Sequence, residues 1–157
     1  MRVSIVIPVF NEEKYIGKCL ESLINQEEKP SEIIVVDNNC TDKTTEISQK
    51  FGAKIVKEEK QGMIYARNAG FDNAKYEILG RIDADSILPH DWISKVKENF
   101  KDQSVVALSG PINIGTKISY LLSIAIFKFL SFFILDNCLF GANIALRKSA
   151  WEHIKND

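Results

Sequence analysis

Tyr76-Glu77-Ile78-Leu79-Gly80-Arg81-Ile82-Asp83-Ala84-Asp85 sets two carboxylates just past an apolar run. Read as a buried strand, residues 76–82 deliver both acids to a carboxyl end, the place where open α/β sheets bind ligands. Alternate residues of an extended chain point the same way, although at a strand's end one acid can face a ligand while the other turns. Two hard oxygen donors this close suit Mg²⁺ or Mn²⁺, ions that commonly take substrate phosphates into their shell. Two acids in a loop also occur as solvated or capping residues, so their meaning depends on the rest of the chain.

Working outward, Val3-Ser4-Ile5-Val6-Ile7-Pro8 and Glu32-Ile33-Ile34-Val35-Val36 are β-branched, apolar runs of the kind that buried parallel strands carry. Pro8 ends the first ladder, and Asp37 closes the second run. Ala53-Lys54-Ile55-Val56 predicts a short third strand. Val105-Val106-Ala107-Leu108 predicts a fifth, ended by Gly110-Pro111.

Helical patterns lie between these runs. Asn11 is placed as an N-cap, with Glu12 and Glu13 where the helix dipole favours acids. Tyr15, Ile16, Cys19, Leu20, Leu23 and Ile24 follow at helical spacing. The polar loop 38–42 leads into a helix that Gly52 stops. Residues 62–74 predict another helix, with Gly70 unfavourable in its interior, and Trp92, Ile93, Val96 and Phe100 mark a fourth. Strands alternating with helices predict an α/β domain over 1–157, its mostly parallel central sheet covered by helices on both faces.

The 157 residues are 45% hydrophobic and 26% charged, enough for one domain with a real core. A net charge of −1 gives no global pull toward nucleic acid. Cys19, Cys40 and Cys138 fall in no zinc or disulfide pattern, so a reducing cytosol is expected. The N-terminal apolar run meets Pro8 too soon for a signal peptide. Residues 118–135 are almost wholly apolar, with Lys128 their only charge and Phe127, Phe129, Phe132 and Phe133 clustered. Three readings stay open there: a buried core helix, a helix lying on or dipping into a membrane, and a full span.

Three predicted strand ends converge: Pro8-Val9-Phe10-Asn11-Glu12, Asp37-Asn38-Asn39 and Asp83-Ala84-Asp85. Each adds polar groups after an apolar run, which favours a site over any single motif. Asp37 suits a base or ribose, or a turn. Glu12 suits the same ligand, or the first turn of a helix. Arg67, in Ala66-Arg67-Asn68-Ala69-Gly70, suits a diphosphate or the acids geometrically, or is a solvated helix residue. Ala66, Ala69 and Gly70 indicate close packing on the sheet. No Gly-x-Gly-x-x-Gly, Walker A or Gly-x-Ser-x-Gly pattern is present, which argues against a dinucleotide-binding domain, a P-loop NTPase and an α/β-hydrolase. His90 and His153 stand in no metal-ligand spacing.

With these residues placed, the chain resembles family 2 of the inverting glycosyltransferases, which have the GT-A fold. The resemblance rests on residues 3–13, on 32–42 with its acidic turn, on Ala66-Arg67-Asn68-Ala69-Gly70, on Asp83-Ala84-Asp85 and on Gly141-Ala142-Asn143-Ile144-Ala145-Leu146-Arg147. Many members have Gly-Ser where this chain has Asn39-Cys40. The resemblance implies a nucleotide pocket lined by Pro8, Phe10, Glu12 and Asp37, with Arg67 at the base or diphosphate. It implies Asp83 on ribose or metal and Asp85 on the metal, Mn²⁺ or Mg²⁺. The implied partner is a nucleotide-diphosphate sugar whose sugar passes, with inversion, to an unnamed acceptor, lipid-linked or polysaccharide. The implied place is the cytoplasm or the inner face of the membrane.

The family's general base lies beyond the Gly-x-Asn segment and its following helix. No Glu-Asp pair follows residue 143 here, so the chain reads as the front of a catalytic domain. A nucleotide-sugar-binding chain without turnover, and a membrane- or partner-binding module acting through 118–135, are the alternatives.

Overall fold

Residues 3–7 are buried completely, so a strand made from them must be covered on both faces. The computed structural model, which describes residues 1–110 and 143–155, places this run at the heart of a sheet. Its elements are β1 (Val3–Val9), α1 (Ile16–Ile24), β2 (Glu32–Asp37), α2 (Thr44–Lys50), β3 (Lys54–Lys57) and α3 (Met63–Asn73). They continue with β4 (Ile78–Ile82), α4 (Trp92–Asn99), β5 (Ala107–Ser109), β6 (Asn143–Arg147) and α5 (Lys148–Ile154). The strand order is β3-β2-β1-β4-β6-β5.

β1 pairs in parallel with β2 on one side and β4 on the other, and β3 continues in parallel beyond β2. The expected parallel sheet therefore holds for these four strands. β6 runs antiparallel to both β4 and β5, which departs from the simple alternation of strands and parallel crossovers. Residues 143–147 predict no strand because they hold one β-branched residue and run directly into a helix.

The two faces of β1 feed separate cores, as side-chain alternation requires. Val3, Ile5, Ile7 and Val9 pack with Leu20, Leu23, Ile93 and Val96, from α1 and α4. Val6, with Ile34 and Val36 of β2, packs against Ala66 and Phe71 of α3 and Trp151 of α5. The Trp151 ring meets Phe71 edge-on at 5.2 Å, and its Nε1–H donates to Asp72 Oδ1 at 2.9 Å. This packing joins α5 to α3.

One helix end departs from expectation. Asn11 does not cap α1. It adopts φ 57°, and its Oδ1 accepts from the Thr41 N–H at 2.8 Å. The helix starts at Ile16, and the Glu12 carbonyl accepts from the Tyr15 and Ile16 N–H groups. A loop-to-loop bond thus takes the side chain that a local cap would use. Gly52 does end the second helix region, at φ 77°. The apolar segment 118–135 and Cys138 lie outside the described residues. Among the described residues, no helix is long and apolar enough to cross a membrane.

Gly70 explains how α3 lies so close to the sheet. A Cβ there would sit 2.2 Å from Val6 Cγ1 and 2.9 Å from Val36 Cγ2, both on packed strands. Gly70→Ala is therefore expected to cost about 3 kcal/mol through overpacking. Gly17→Ala, in α1, would place its Cβ 3.8 Å from Ile47 Cγ2, an ordinary contact. That change is expected to stabilise by up to about 1 kcal/mol through helix propensity. Urea unfolding midpoints of the two variants should move in opposite directions.

Candidate functional site

Because β2, β1 and β4 are adjacent and parallel, their carboxyl ends share one edge of the sheet. This brings the 8–12, 37–39 and 83–85 segments together at that edge. The antiparallel β6 adds its amino end there, with Asn143 opposite Ile82.

The loops after β1 and β2 are tied to each other. Asp37 Oδ1 accepts from the Cys40 N–H at 2.8 Å and forms a turn. Cys40 Sγ accepts from the Asn11 N–H at 3.4 Å and donates to the Val9 carbonyl at 3.5 Å. The Glu12 N–H donates to Thr44 Oγ1 at 2.8 Å. Pro8 is half-buried, whereas Phe10 is 51% exposed and free to present its ring to a ligand.

Asn38 holds the loop between β3 and α3. Its buried side chain donates to the carbonyls of Glu58 and Lys60, both at 2.8 Å, and its Oδ1 accepts from the Gly62 N–H at 2.8 Å. A buried amide with these partners is costly to remove. A cavity of about 380 Å³ opens nearby, lined by Asp37, Asn39, Cys40, Thr41, Lys57, Glu58 and Glu59. It lies on the Asp37 side and is not lined by Asp83 or Asp85.

The acids form an electrostatic group. Burial pushes the Glu12 carboxyl up, and Asp85, Asp42 and Asp83 add to the shift by repulsion. Burial also pushes Asp83 up; Arg81 opposes this, and Asp85 reinforces it. The Cys19 thiol is pushed up to about 12 by burial and by the same two aspartates, and it lies against the Asp83 carbonyl at 3.6 Å. Asp85 is exposed.

Arg67 stands apart from these carboxylates. Its Nε and Nη2 donate to Asn68 Oδ1 at 3.1 and 2.8 Å, and its guanidinium lies 6.0 Å from the Trp151 ring centroid. Burial and the neighbouring Arg81 charge lower its pKa. Among the described residues it forms no ion pair with Asp83 or Asp85.

Sequence reasoning passed over Arg81, Asn38 and the contact of Asn143. Arg81 is a charge inside an apolar strand, two residues before Asp83; strand alternation gives the two side chains a common face, a signal that was available. Asn38 was visible only as one polar loop residue among several. Asn143 Oδ1 accepts from Trp92 Nε1 at 3.1 Å, a contact that depends on the antiparallel placement of β6.

Two or three carboxylates with open space on one side suit a divalent ion whose shell a ligand completes. Mg²⁺-type sites usually use one or two carboxylates together with substrate phosphates. Asp83 and Asp85 are hard-oxygen groups of this kind, and Glu12 feels the charge of both. Among the described residues, no group of three or more His, Cys, Asp or Glu could by itself hold a metal ion.

Comparison with known proteins agrees with this architecture. The family model described as glycosyl transferase family 2 matches residues 4–149. The glycosyltransferase GlyA of Streptococcus pneumoniae is 30% identical over 133 residues, covering 82% of this chain and 18% of that protein. A Methanococcus voltae dolichyl N-acetyl-alpha-D-glucosaminyl phosphate 3-beta-D-2,3-diacetamido-2,3-dideoxy-beta-D-glucuronosyltransferase is 34% identical over 137 residues, covering 80% of this chain and 43% of its own length. The mannosyltransferase PcManGT from Pyrobaculum calidifontis, solved in complex with GDP-Man and Mn²⁺, superposes with a TM-score of 0.77 at 22% identity. That match covers 98% of this chain and 46% of PcManGT. S. aureus TarS 1–349 in complex with UDP-GlcNAc gives a TM-score of 0.78 at 21% identity, over 99% of this chain and 48% of TarS 1–349. The chain thus spans less than half the length of each of these proteins. The fold shared with both solved structures is GT-A. With the family model matched across nearly its whole length, the chain belongs to glycosyl transferase family 2.

Proposed function

We propose that the carboxyl edge of the sheet binds a nucleotide-diphosphate sugar with a divalent metal ion, and that the chain supplies the donor half of an inverting glycosyl transfer. The observation that carries this reading is the convergence of three parallel strand ends at one edge, each ending in or followed by polar residues. Pro8, Phe10, Glu12 and Asp37 line the nucleotide side. Asp83 faces ribose or metal, and Asp85 holds the metal. Arg67, whose present partner is the neighbouring Asn68, is the candidate cation for the diphosphate.

When bound, Mn²⁺ or Mg²⁺ supplies positive charge to the leaving nucleoside diphosphate. The chain's own residues orient the nucleotide and exclude water from it. In the transfer, an acceptor hydroxyl oxygen forms a bond to the anomeric carbon as the bond to the diphosphate oxygen breaks. The hydroxyl proton passes to a general base. The sequence after residue 143 holds no Glu-Asp pair for that role, and Asp157 lies outside the described residues. GDP-Man and UDP-GlcNAc in the two solved relatives support a nucleotide-sugar donor without choosing the base. The apolar sequence 118–135 supports an acceptor delivered at a membrane surface, which co-sedimentation with anionic liposomes would test.

Thermal unfolding of the purified chain with UDP, GDP, dTDP or CDP, each with and without Mn²⁺, tests the donor site. A ligand that binds only the folded state raises the midpoint by mass action. One nucleotide is expected to stabilise in a metal-dependent way, and Asp85→Ala is expected to abolish that shift. Stabilisation by none of the four in a folded chain would reject the donor site.

Glu12 gives a second prediction. Its pKa is raised in the folded chain, so the folded state holds the proton more tightly than the unfolded state. The ionised carboxylate therefore lowers stability above the folded pKa, and protonation relieves this as pH falls through it. Glu12→Gln is expected to raise the melting temperature at pH 7. The gap to wild type should close as pH falls through the carboxylate range. A gap that stays constant with pH would show that the charge of this carboxylate, disfavoured by burial and by the neighbouring acids, is not its cause.

A further inference from the structure

Arg81 puts a guanidinium at the penultimate position of β4. It is 4% exposed, Leu79 and Ile82 beside it are fully buried, and its sheet neighbours are Val6 and Ile144. A cation in such surroundings depends on its few polar contacts. Nη2 donates to Asp83 Oδ1 and also lies 3.0 Å from Met63 Sδ, in the first turn of α3. Nε has no hydrogen-bond partner among the described residues. Asp83 is thus the one acid paired with this buried charge, whereas Asp85 is exposed and in no ion pair among the described residues. The two carboxylates of Asp83-Ala84-Asp85 are inequivalent.

We propose that Arg81 is a positioning residue of the donor site, clamping one oxygen of Asp83 so that the other is presented to the incoming nucleotide and metal. This rests on the donor-site reading above. The clamp works through geometry. An aspartate held by a charge-assisted hydrogen bond has less side-chain freedom to lose on binding. The same guanidinium touches α3, so the acid is referenced to the helix that carries Arg67 as well as to its own strand. A charge buried in the sheet is costly, and this role gives it a use that an aliphatic side chain would lack.

The test compares wild type, Arg81→Met, Arg81→Lys, Asp83→Asn and the Arg81→Met/Asp83→Asn double variant. The readout is the Mn²⁺ concentration needed for half-maximal nucleotide-dependent stabilisation, with the nucleotide that wild type binds, and far-UV circular dichroism reports folding. Loss of a residue that orients a metal ligand typically weakens the metal about 10- to 100-fold. Arg81→Met is expected to raise the Mn²⁺ requirement about tenfold. Arg81→Lys, which keeps the charge without the planar fork, should recover part of the loss. On an Asp83→Asn background, Arg81→Met should add nothing further.

A wild-type Mn²⁺ requirement in both single Arg81 variants would overturn the clamp. So would a loss that is equally large whether or not Asp83 is present. Should Arg81→Met fail to fold, Arg81→Lys decides: a wild-type requirement overturns the clamp, and an intermediate one supports it. A wild-type chain that no nucleotide stabilises is a separate result. It would overturn the donor-site reading and this assignment together.

Discussion

The parallel pairing of β1 with both β2 and β4 is the constraint on which the site depends. Ser4 to Val9 run in register with Glu32 to Asp37, and Val3 to Val6 with Ile78 to Arg81. Parallel strands release their chains at the same edge, so three separate loops meet without any of them being long. A register shift of one residue would turn each strand's side chains to the opposite face. It would exchange Ile5 and Ile7 for Val6 between the two cores and turn Arg81 away from Met63 of α3. The burial of β1 on both faces therefore stabilises the edge geometry as well as the sheet. Gly70 lets α3 close over one face, and Gly80 leaves room on the other, where an added Cβ would sit 2.8 Å from Ile5 Cδ1 and 3.2 Å from Trp92 Cη2.

At that edge the chain holds more negative charge than it neutralises. Glu12, Asp42, Asp83 and Asp85 repel one another, and Arg81 answers only Asp83. Functional sites commonly carry such unrelieved electrostatics, because a ligand or ion completes the charge balance. Arg67, bonded to its own neighbour Asn68, forms no ion pair with any of them among the described residues.

Most of the architecture was legible in the sequence because β-branched runs and helical spacing are local signals. β1, β2, β3 and β4 follow from their apolar runs, although β1 continues past Pro8 to Val9 and β4 begins at Ile78 rather than at residue 76. β6 was not legible, since its five residues show no alternation and its partners are distant in sequence. Asn11 was read as a helix cap because Asn before two acids is what a cap looks like. The Thr41 amide, thirty residues away, competes for its side chain, and no local pattern encodes that. The candidate acids were visible from their place after strands, but the inequality of Asp83 and Asp85 needed the position of Arg81 in the sheet. The roles of Pro8 and Phe10 came from family resemblance alone, whereas Asp37, Glu12 and Arg67 were also candidates from their places after strands and in a helix.

The antiparallel pairing of β5 with β6 also bears on how the sequence between them can vary. The Gly110 N–H donates to the Asn143 carbonyl at 3.4 Å, and Ser109 lies opposite Ile144. The chain leaves the sheet and re-enters it at nearly one point, on the edge where Asp83 and Asp85 stand. When both ends are pinned together, the entropy of closure grows only by about 0.6 kcal/mol for each doubling of length. The register of β1, β2 and β4 is thus set apart from the length of chain between these two anchors.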